Sequence, residues 1–163
     1  MRAVWIAALL LAGCSDRTEQ AQADTPGGRL ESAAKEAGLV TGGATASLVG
    51  SWGRDTDRLC VVPGSAGDYR VGAVVDYGEG QTCAAAGTAS RSGGKLDIRF
   101  GACRFSAQID GDRIVFPADL PIECETVCAG RASLAAVTVD RISASAAEAS
   151  TLRLGTGKPL CGV

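Results

Sequence analysis

Short stretches of alternating apolar and polar residues run through most of the chain after residue 47 and predict β-strands. In Lys95–Phe100, every second residue is apolar and the others are charged, and a period of two places one set of side chains on a single face of a strand. The other predicted strands are Leu48–Gly53, Arg58–Val62, Tyr69–Tyr77, Thr82–Ser90, Cys103–Ile109, Ile114–Phe116 and Ala132–Ile142. About eight strands with close turn signals predict a mostly β fold, either a small antiparallel barrel or a sandwich.

The clearest hairpin is Cys103–Phe116, in which two alternating stretches flank Asp110-Gly111. This dipeptide favours a two-residue type I′ turn. At the C-terminal end, Ser145–Arg153 has a helical composition, with Ser145 as the predicted N-cap. The β domain is therefore predicted to span residues 47–163, with short helical segments near both ends of the mature chain.

The N-terminus has a different pattern, in which Ala3–Leu11 is continuously apolar. Arg2 precedes this run and the small residues Ala12 and Gly13 follow it, which is the arrangement of an export signal. The run is too short to cross a bilayer, which takes about 20 residues. Residues 1–13 are therefore predicted to be a signal peptide.

The stretch Leu11-Ala12-Gly13-Cys14 resembles the lipobox of bacterial lipoproteins. This resemblance implies cleavage before Cys14, lipidation (diacylglycerol and a further acyl chain such as palmitate) of its thiol and amino group, and anchoring to a membrane on its periplasmic face. Ser15 follows the cysteine where inner-membrane lipoproteins usually carry aspartate, so the family pattern favours the cell outer membrane over the inner one. The alternative is an ordinary secretory signal with a fortuitous cysteine.

Residues 14–46 are predicted to form the lipidated cysteine and a flexible tether. Ser15–Gly28 is polar and ends in Pro-Gly-Gly, which is typical of a linker. Arg29–Val40 favours a short helix that Gly42 and Gly43 end. This helix could be transient or could pack against the domain.

The cysteine count predicts a disulfide framework. Seven cysteines minus Cys14 leave an even number in an exported chain, which favours three bridges with fifteen possible connectivities. A metal site at Cys124-Glu-Thr-Val-Cys128 is the weaker alternative, because no second cluster or histidine accompanies it. The pairing is left open among Cys60, Cys83, Cys103, Cys124, Cys128 and Cys161.

Composition then narrows the classes of function. The chain has no histidine, which excludes Ser-His-Asp and Cys-His catalysis and histidine-ligated zinc. Its net charge of −2, with no long basic run, argues against nucleic acid as a partner. Asp55-Thr56-Asp57 and Asp110-Gly111-Asp112 lack the further residues that an aspartic protease or a calcium loop needs, so both are interpreted as turns. We expect no cofactor, no metal and no enzymatic activity; catalysis by carboxylates alone is the weakest alternative.

Gly50-Ser51-Trp52 resembles the Gly-x-Trp that opens lipocalin barrels. That resemblance implies that Trp52 closes one end of a barrel. Arg131 is predicted to stack on its indole.

Four longer stretches resemble a group of short bacterial envelope lipoproteins of unknown function. This similarity supports the localisation and the cysteine pattern, and it supplies no activity to carry over. The stretches are Arg54–Gly64, Val75–Thr88, Cys103–Ala118 and Cys128–Ala136.

The sequence therefore predicts a lipid-anchored periplasmic binding or structural module of the bacterial cell envelope. Its partners would be the membrane, through the lipid on Cys14, and possible envelope proteins. The alternative is a periplasmic inhibitor of a hydrolase, a protease or lysozyme, with Asp119–Thr126 as the inhibitory loop.

Overall fold

The computed structural model describes residues 25–36, 47–153 and 157–161. The chain divides into two units, Met1–Thr41 and Gly42–Val163. The predicted lipobox, Cys14 and the predicted helix end at residues 37–43 lie outside the described residues. No helix in the described part of the chain is long and apolar enough to cross a membrane.

Helix α1 of the first unit spans Pro26–Glu36, so it begins before the predicted start at Arg29. The Thr25 hydroxyl accepts a hydrogen bond from the Gly28 N–H at 3.0 Å and caps the first turn. Pro26 then occupies the first helical position, where its missing N–H costs nothing and its fixed φ suits the helix. The Pro-Gly-Gly assigned to the tether is therefore the first turn of the helix.

The second unit is a closed antiparallel barrel in which each strand pairs with the next and β8 pairs with β1. This confirms the predicted mostly β fold and selects the barrel over the sandwich. The strands are β1 Gly50–Arg54, β2 Asp57–Pro63, β3 Tyr69–Asp76, β4 Thr82–Ser92, β5 Lys95–Phe100, β6 Cys103–Asp110, β7 Arg113–Val115 and β8 Thr138–Ser143.

The predicted β6–β7 hairpin is present, with its turn shifted by one residue. Asp110 pairs with Arg113, so Gly111 and Asp112 are the central residues. Gly111 has a φ of 57°, whereas Asp112 is outside the positive-φ region. Glycine with positive φ at the first central position is the pattern of a type II′ turn, not the predicted type I′.

Alternate side chains of the strands point inward and fill the barrel as one continuous buried cluster. Most of its members are Val, Leu, Ile and Ala, as the scarcity of aromatics predicts, and the rings of Phe105 and Phe116 lie 4.8 Å apart within it. Because these side chains fill the interior, a ligand or partner would bind to the outer surface of the barrel. The cluster includes Trp52, Leu59, Val61, Val71, Val75, Leu96, Ile98, Ile114, Phe116 and Val139.

A second, smaller apolar cluster lies on the outer face of β2. The run Leu59-Cys60-Val61-Val62 is buried throughout, because alternate residues enter the barrel core and this outer cluster. Helix α2, Ala146–Ser150, and Leu160 supply the cover. The predicted N-cap is confirmed, since the Ser145 hydroxyl accepts from the Glu148 N–H at 3.2 Å.

The connection from β7 to β8 is longer than predicted, because β8 begins at Thr138 and not at Ala132. Ala136 has a φ of 58°, which interrupts an extended strand. The Ala136 N–H donates to the Pro117 carbonyl at 2.9 Å, and the Phe116 N–H donates to the Val137 carbonyl at 2.8 Å. The ends of the connection are thus joined, and Pro117–Ala136 forms a compact segment that we call the lid.

Candidate functional site

The lid covers one end of the barrel. Neighbouring strands of an antiparallel barrel run in opposite directions, so every second connection lies at the same end. The connections β1–β2, β3–β4 and β5–β6 therefore share an end with the lid, which connects β7 to β8. We call this the lid end. Cys83 and Cys103 lie near the starts of β4 and β6 at this end. Leu134 of the lid is buried in the barrel core.

Two disulfides fix the lid to the barrel. Cys103 bonds to Cys124 and Cys83 bonds to Cys128, with Cα–Cα distances of 4.5 and 3.9 Å. The Ala129 N–H also donates to the Thr82 carbonyl at 2.7 Å. Cross-links this short leave the intervening backbone little freedom.

A short 3₁₀ helix, Ile122–Val127, contains Cys124 and ends directly before Cys128. It contains most of the predicted inhibitory loop Asp119–Thr126, which the structure therefore places in a constrained helical turn. Ile122 is 69% exposed, the highest value among the large apolar residues that the structure describes in the barrel unit. Glu123 and Glu125 are exposed beside it. The lid thus presents one apolar side chain between acidic ones.

A surface cavity of about 260 Å³ separates the two limbs of the lid. Asp119, Leu120 and Glu125 line one side, and Ser133 and Ala135 line the other. The cavity is open to solvent and adjoins the 3₁₀ helix. It gives the lid end a concave feature beside the exposed isoleucine.

The opposite end of the barrel is closed by Trp52, as predicted, but with a different cation. Trp52 is fully buried, and its indole N–H donates to the Leu48 carbonyl at 3.1 Å. The guanidinium carbon of Arg141 lies 4.0 Å from the centre of the ring. The prediction of Arg131 was wrong: Arg131 is exposed and belongs to the lid, because the segment taken for the start of β8 folds over the other end.

Arg141 joins several segments at this end. Its guanidinium donates to the carbonyls of Ser47 at 2.8 Å and Val49 at 3.2 Å. It also forms an ion pair of 2.7 Å with Asp112 in the β6–β7 turn. Arg141 therefore ties the entry to β1, the last strand and a hairpin turn over the buried indole.

The third disulfide, Cys60–Cys161, lies in the outer cluster and joins residues 101 apart in sequence. The predicted set of six bridged cysteines is confirmed, and the connectivity is now defined. The bridges are nested, because Cys103–Cys124 lies within the loop closed by Cys83–Cys128, and both lie within the loop closed by Cys60–Cys161. Within the described residues, no group of three or more potential ligands could hold a metal ion.

Two carboxyl groups have shifted pKa values. Burial raises the pKa of Asp57, the negative charge of Asp55 raises it further, and Arg58 opposes the shift. Hydrogen bonds from Arg54 and Arg113 lower the pKa of Asp140. Asp55 and Thr56 form the tight β1–β2 connection, in line with the interpretation of this motif as a turn.

Asp140 on β8 links the strands on either side of it, β7 and β1, where the barrel closes. Its two oxygens accept from Arg54 on β1 at 2.7 Å and from Arg113 on β7 at 2.8 Å. The carboxylate on β8 thus links both strands that flank it.

No protein-family model, curated protein or solved structure matches the chain. Function must therefore be inferred from the chain's own residues.

Proposed function

We propose that this chain is a lipid-anchored module of the bacterial cell envelope that binds another envelope protein through its lid end. The signal-like N-terminus and the lipobox at Cys14 support the location. The observation that carries the binding role is Ile122, an exposed apolar side chain on a short helix that contains the disulfide-bonded Cys124 and ends directly before the disulfide-bonded Cys128. A contact residue held in place before binding loses little conformational entropy when a partner covers it.

The filled barrel interior supports the same role. A small-molecule carrier of this architecture would need a hollow core, and here the inward side chains form a continuous cluster. Binding by the outer surface requires no such space. The module would have no catalysis of its own.

The second candidate is an inhibitor of a hydrolase, and the charge of the lid favours it. Glu123 and Glu125 follow Ile122, and Asp119 precedes it. An acidic, rigid projection complements a hydrolase whose cleft has a basic rim, since complementary charge speeds association and favours the correct partner. Lysozymes and proteases with basic clefts are the enzymes to test.

A photocrosslinking amino acid at position 122 of the full chain tests the binding role. We expect one discrete crosslinked protein in intact envelopes from position 122 and none from position 108 on β6, an exposed site outside the lid. Reversing charge with Glu123→Lys and Glu125→Lys should remove the product. Equal crosslinking from both positions would contradict a specific lid surface.

Two further experiments separate the remaining parts of the proposal. Cys14→Ser should abolish palmitate labelling and leave an unprocessed precursor, whereas normal labelling would refute the anchor. If the crosslinked partner is a hydrolase, the purified chain should inhibit it and Ile122→Ser should relieve the inhibition. A partner without hydrolytic activity would exclude the inhibitor.

A further inference from the structure

A row of basic residues crosses the outer face of the barrel, from the start of β3 to the start of β6 at the lid end. Arg70 on β3 pairs in register with Thr88 on β4, Thr88 with Arg99 on β5, and Arg99 with Arg104 on β6. Residues directly opposite one another in a sheet point to the same face. These four side chains therefore form a continuous band, which we call the arginine row.

The guanidinium groups of the row have no partner among the described residues. The ion pairs of the barrel involve Arg54, Arg113 and Arg141. In contrast, none of the three arginines of the row makes a side-chain hydrogen bond or an ion pair with any residue that the structure describes. The Nε of Arg70 is buried without an acceptor, which is unusual because buried donors in folded proteins are nearly always paired.

The spacing of the row makes this lack of partners costly. Arg99 and Arg104 are directly opposite each other, which brings their Cβ atoms to roughly 5 Å, and like charges in that arrangement repel. An anion between the two guanidinium groups would relieve the repulsion. Arginine is suited to this task, since its planar group binds a phosphate or carboxylate through two parallel hydrogen bonds.

Two surface cavities border the row and meet at Thr88. One, of about 370 Å³, is lined by Thr88, Arg99 and Arg104. The other, of about 440 Å³, is lined by Arg70 and Thr88. Three basic groups and a hydroxyl thus face space that a ligand can enter.

Two carboxylates also border these cavities. Asp97 lines the first cavity and accepts a hydrogen bond from the Ser106 hydroxyl, while Asp68 lines both cavities. Neither forms an ion pair with an arginine of the row. Three positive charges against two negative ones leave the band positive, on a chain whose net charge is −2.

We propose that the arginine row binds a phosphate group, with Arg99 and Arg104 holding its oxygens and the Thr88 hydroxyl donating a further hydrogen bond. Arg70 extends the positive field along the same band. The phosphate can be free or can belong to a lipid headgroup. The row shares no residue with the lid, and its test does not involve the proposed lid partner.

Thermal unfolding of the full chain in dodecyl maltoside micelles tests the site. Sodium phosphate is titrated against sodium chloride at equal ionic strength, because a ligand at free concentration L that binds only the folded state stabilises it by RT ln(1 + L/Kd) and so raises Tm. A parallel arm replaces inorganic phosphate with phosphatidylglycerol in the micelles, with phosphatidylcholine as its control.

We expect Tm to rise with the logarithm of ligand concentration above Kd in at least one arm. Arg99→Gln or Arg104→Gln should weaken the apparent affinity about tenfold, because each removes a charged hydrogen bond. Arg131→Gln, which removes an exposed arginine outside the row, should leave it unchanged. A response to phosphatidylglycerol alone assigns the phosphate to a lipid, and a response to inorganic phosphate assigns it to a soluble ligand. No response in either arm, or an equal loss with Arg131→Gln, would overturn the proposal.

Discussion

The nested disulfides allow loop entropy to be tested against packing within one molecule. Removing Cys60–Cys161 or Cys103–Cys124 as a pair of alanine substitutions deletes sulfurs with almost the same burial, because exposures are 0% and 2% in the first pair and 0% and 4% in the second. The packing losses should therefore nearly cancel. What remains different is the length of chain that each bridge closes.

The expected difference follows from the sequence separations. Cys103 and Cys124 are 21 residues apart, and a loop of that length corresponds to about 3.3 kcal/mol of loop-closure entropy. Cys60 and Cys161 are 101 residues apart, which alone would correspond to about 4.7 kcal/mol. The inner Cys83–Cys128 bridge shortens that path to roughly 57 residues, which lowers the value to about 4.2 kcal/mol.

Urea unfolding of the oxidised full chain, followed by circular dichroism, measures both variants. We expect the Cys60→Ala/Cys161→Ala protein to lose about 1 kcal/mol more than the Cys103→Ala/Cys124→Ala protein. The reverse order would show that anchoring of the lid, and not loop length, dominates. An intact fold of unchanged stability in either variant would refute the stabilising role of that bridge.

Substitutions at three other positions test a turn conformation, a cation stacked on Trp52 and an ion pair. Gly111→Val should cost about 1–3 kcal/mol, because no neighbour lies within 4 Å of a Cβ there and only the positive φ is strained. Gly111→Asn should cost less, and an unchanged Tm for the valine variant would argue against the turn. Arg141→Gln should destabilise by about 2–3 kcal/mol and shift the fluorescence of Trp52, since it removes the stacked cation and its hydrogen bonds; an effect no larger than that of Arg131→Gln would contradict this role. Because its pKa is lowered in the fold, Asp140 stabilises above its unfolded pKa of about 3.9 and loses this contribution as pH falls through the lowered value. Asp140→Asn should therefore reduce the acid sensitivity of Tm below pH about 4. Identical pH profiles of Tm for the two proteins would contradict a stabilising role of the Asp140 ion pairs.

Local patterns predicted the strands well because one face of each strand is buried. Leu96, Ile98 and Phe100 alternate with charged residues in the sequence, and β5 shows the same alternation of buried and exposed positions. The prediction failed for Ala132–Val137, a mostly apolar run in which Leu134 and Val137 are both buried although a spacing of three would place them on opposite faces of a strand. Their burial comes from folding over the barrel end, which no local period records.

Contacts between distant segments were beyond prediction for a related reason. Both Arg131 and Arg141 were available to cover Trp52, and only barrel closure, which pairs Trp52 with Arg141 in register, distinguishes them. The disulfide connectivity likewise depends on which strand ends meet. The arginine row required the register of four strands, although each arginine was visible in the sequence as an outward position of its strand.

The order of the bridges along the chain also constrains how the chain can be oxidised. Among cysteines that follow one another in sequence, only Cys103 and Cys124 are natively paired. A chain that emerges N-terminus first exposes Cys60 and Cys83 before the partner of either, so oxidation in order of emergence would join these two wrongly. Correct pairing then requires thiol–disulfide exchange, and we expect maturation to depend on an isomerase and not on an oxidase alone. Cys161 is the last of the six bridged cysteines to emerge, so the Cys60–Cys161 bridge can form only after all eight strands have emerged.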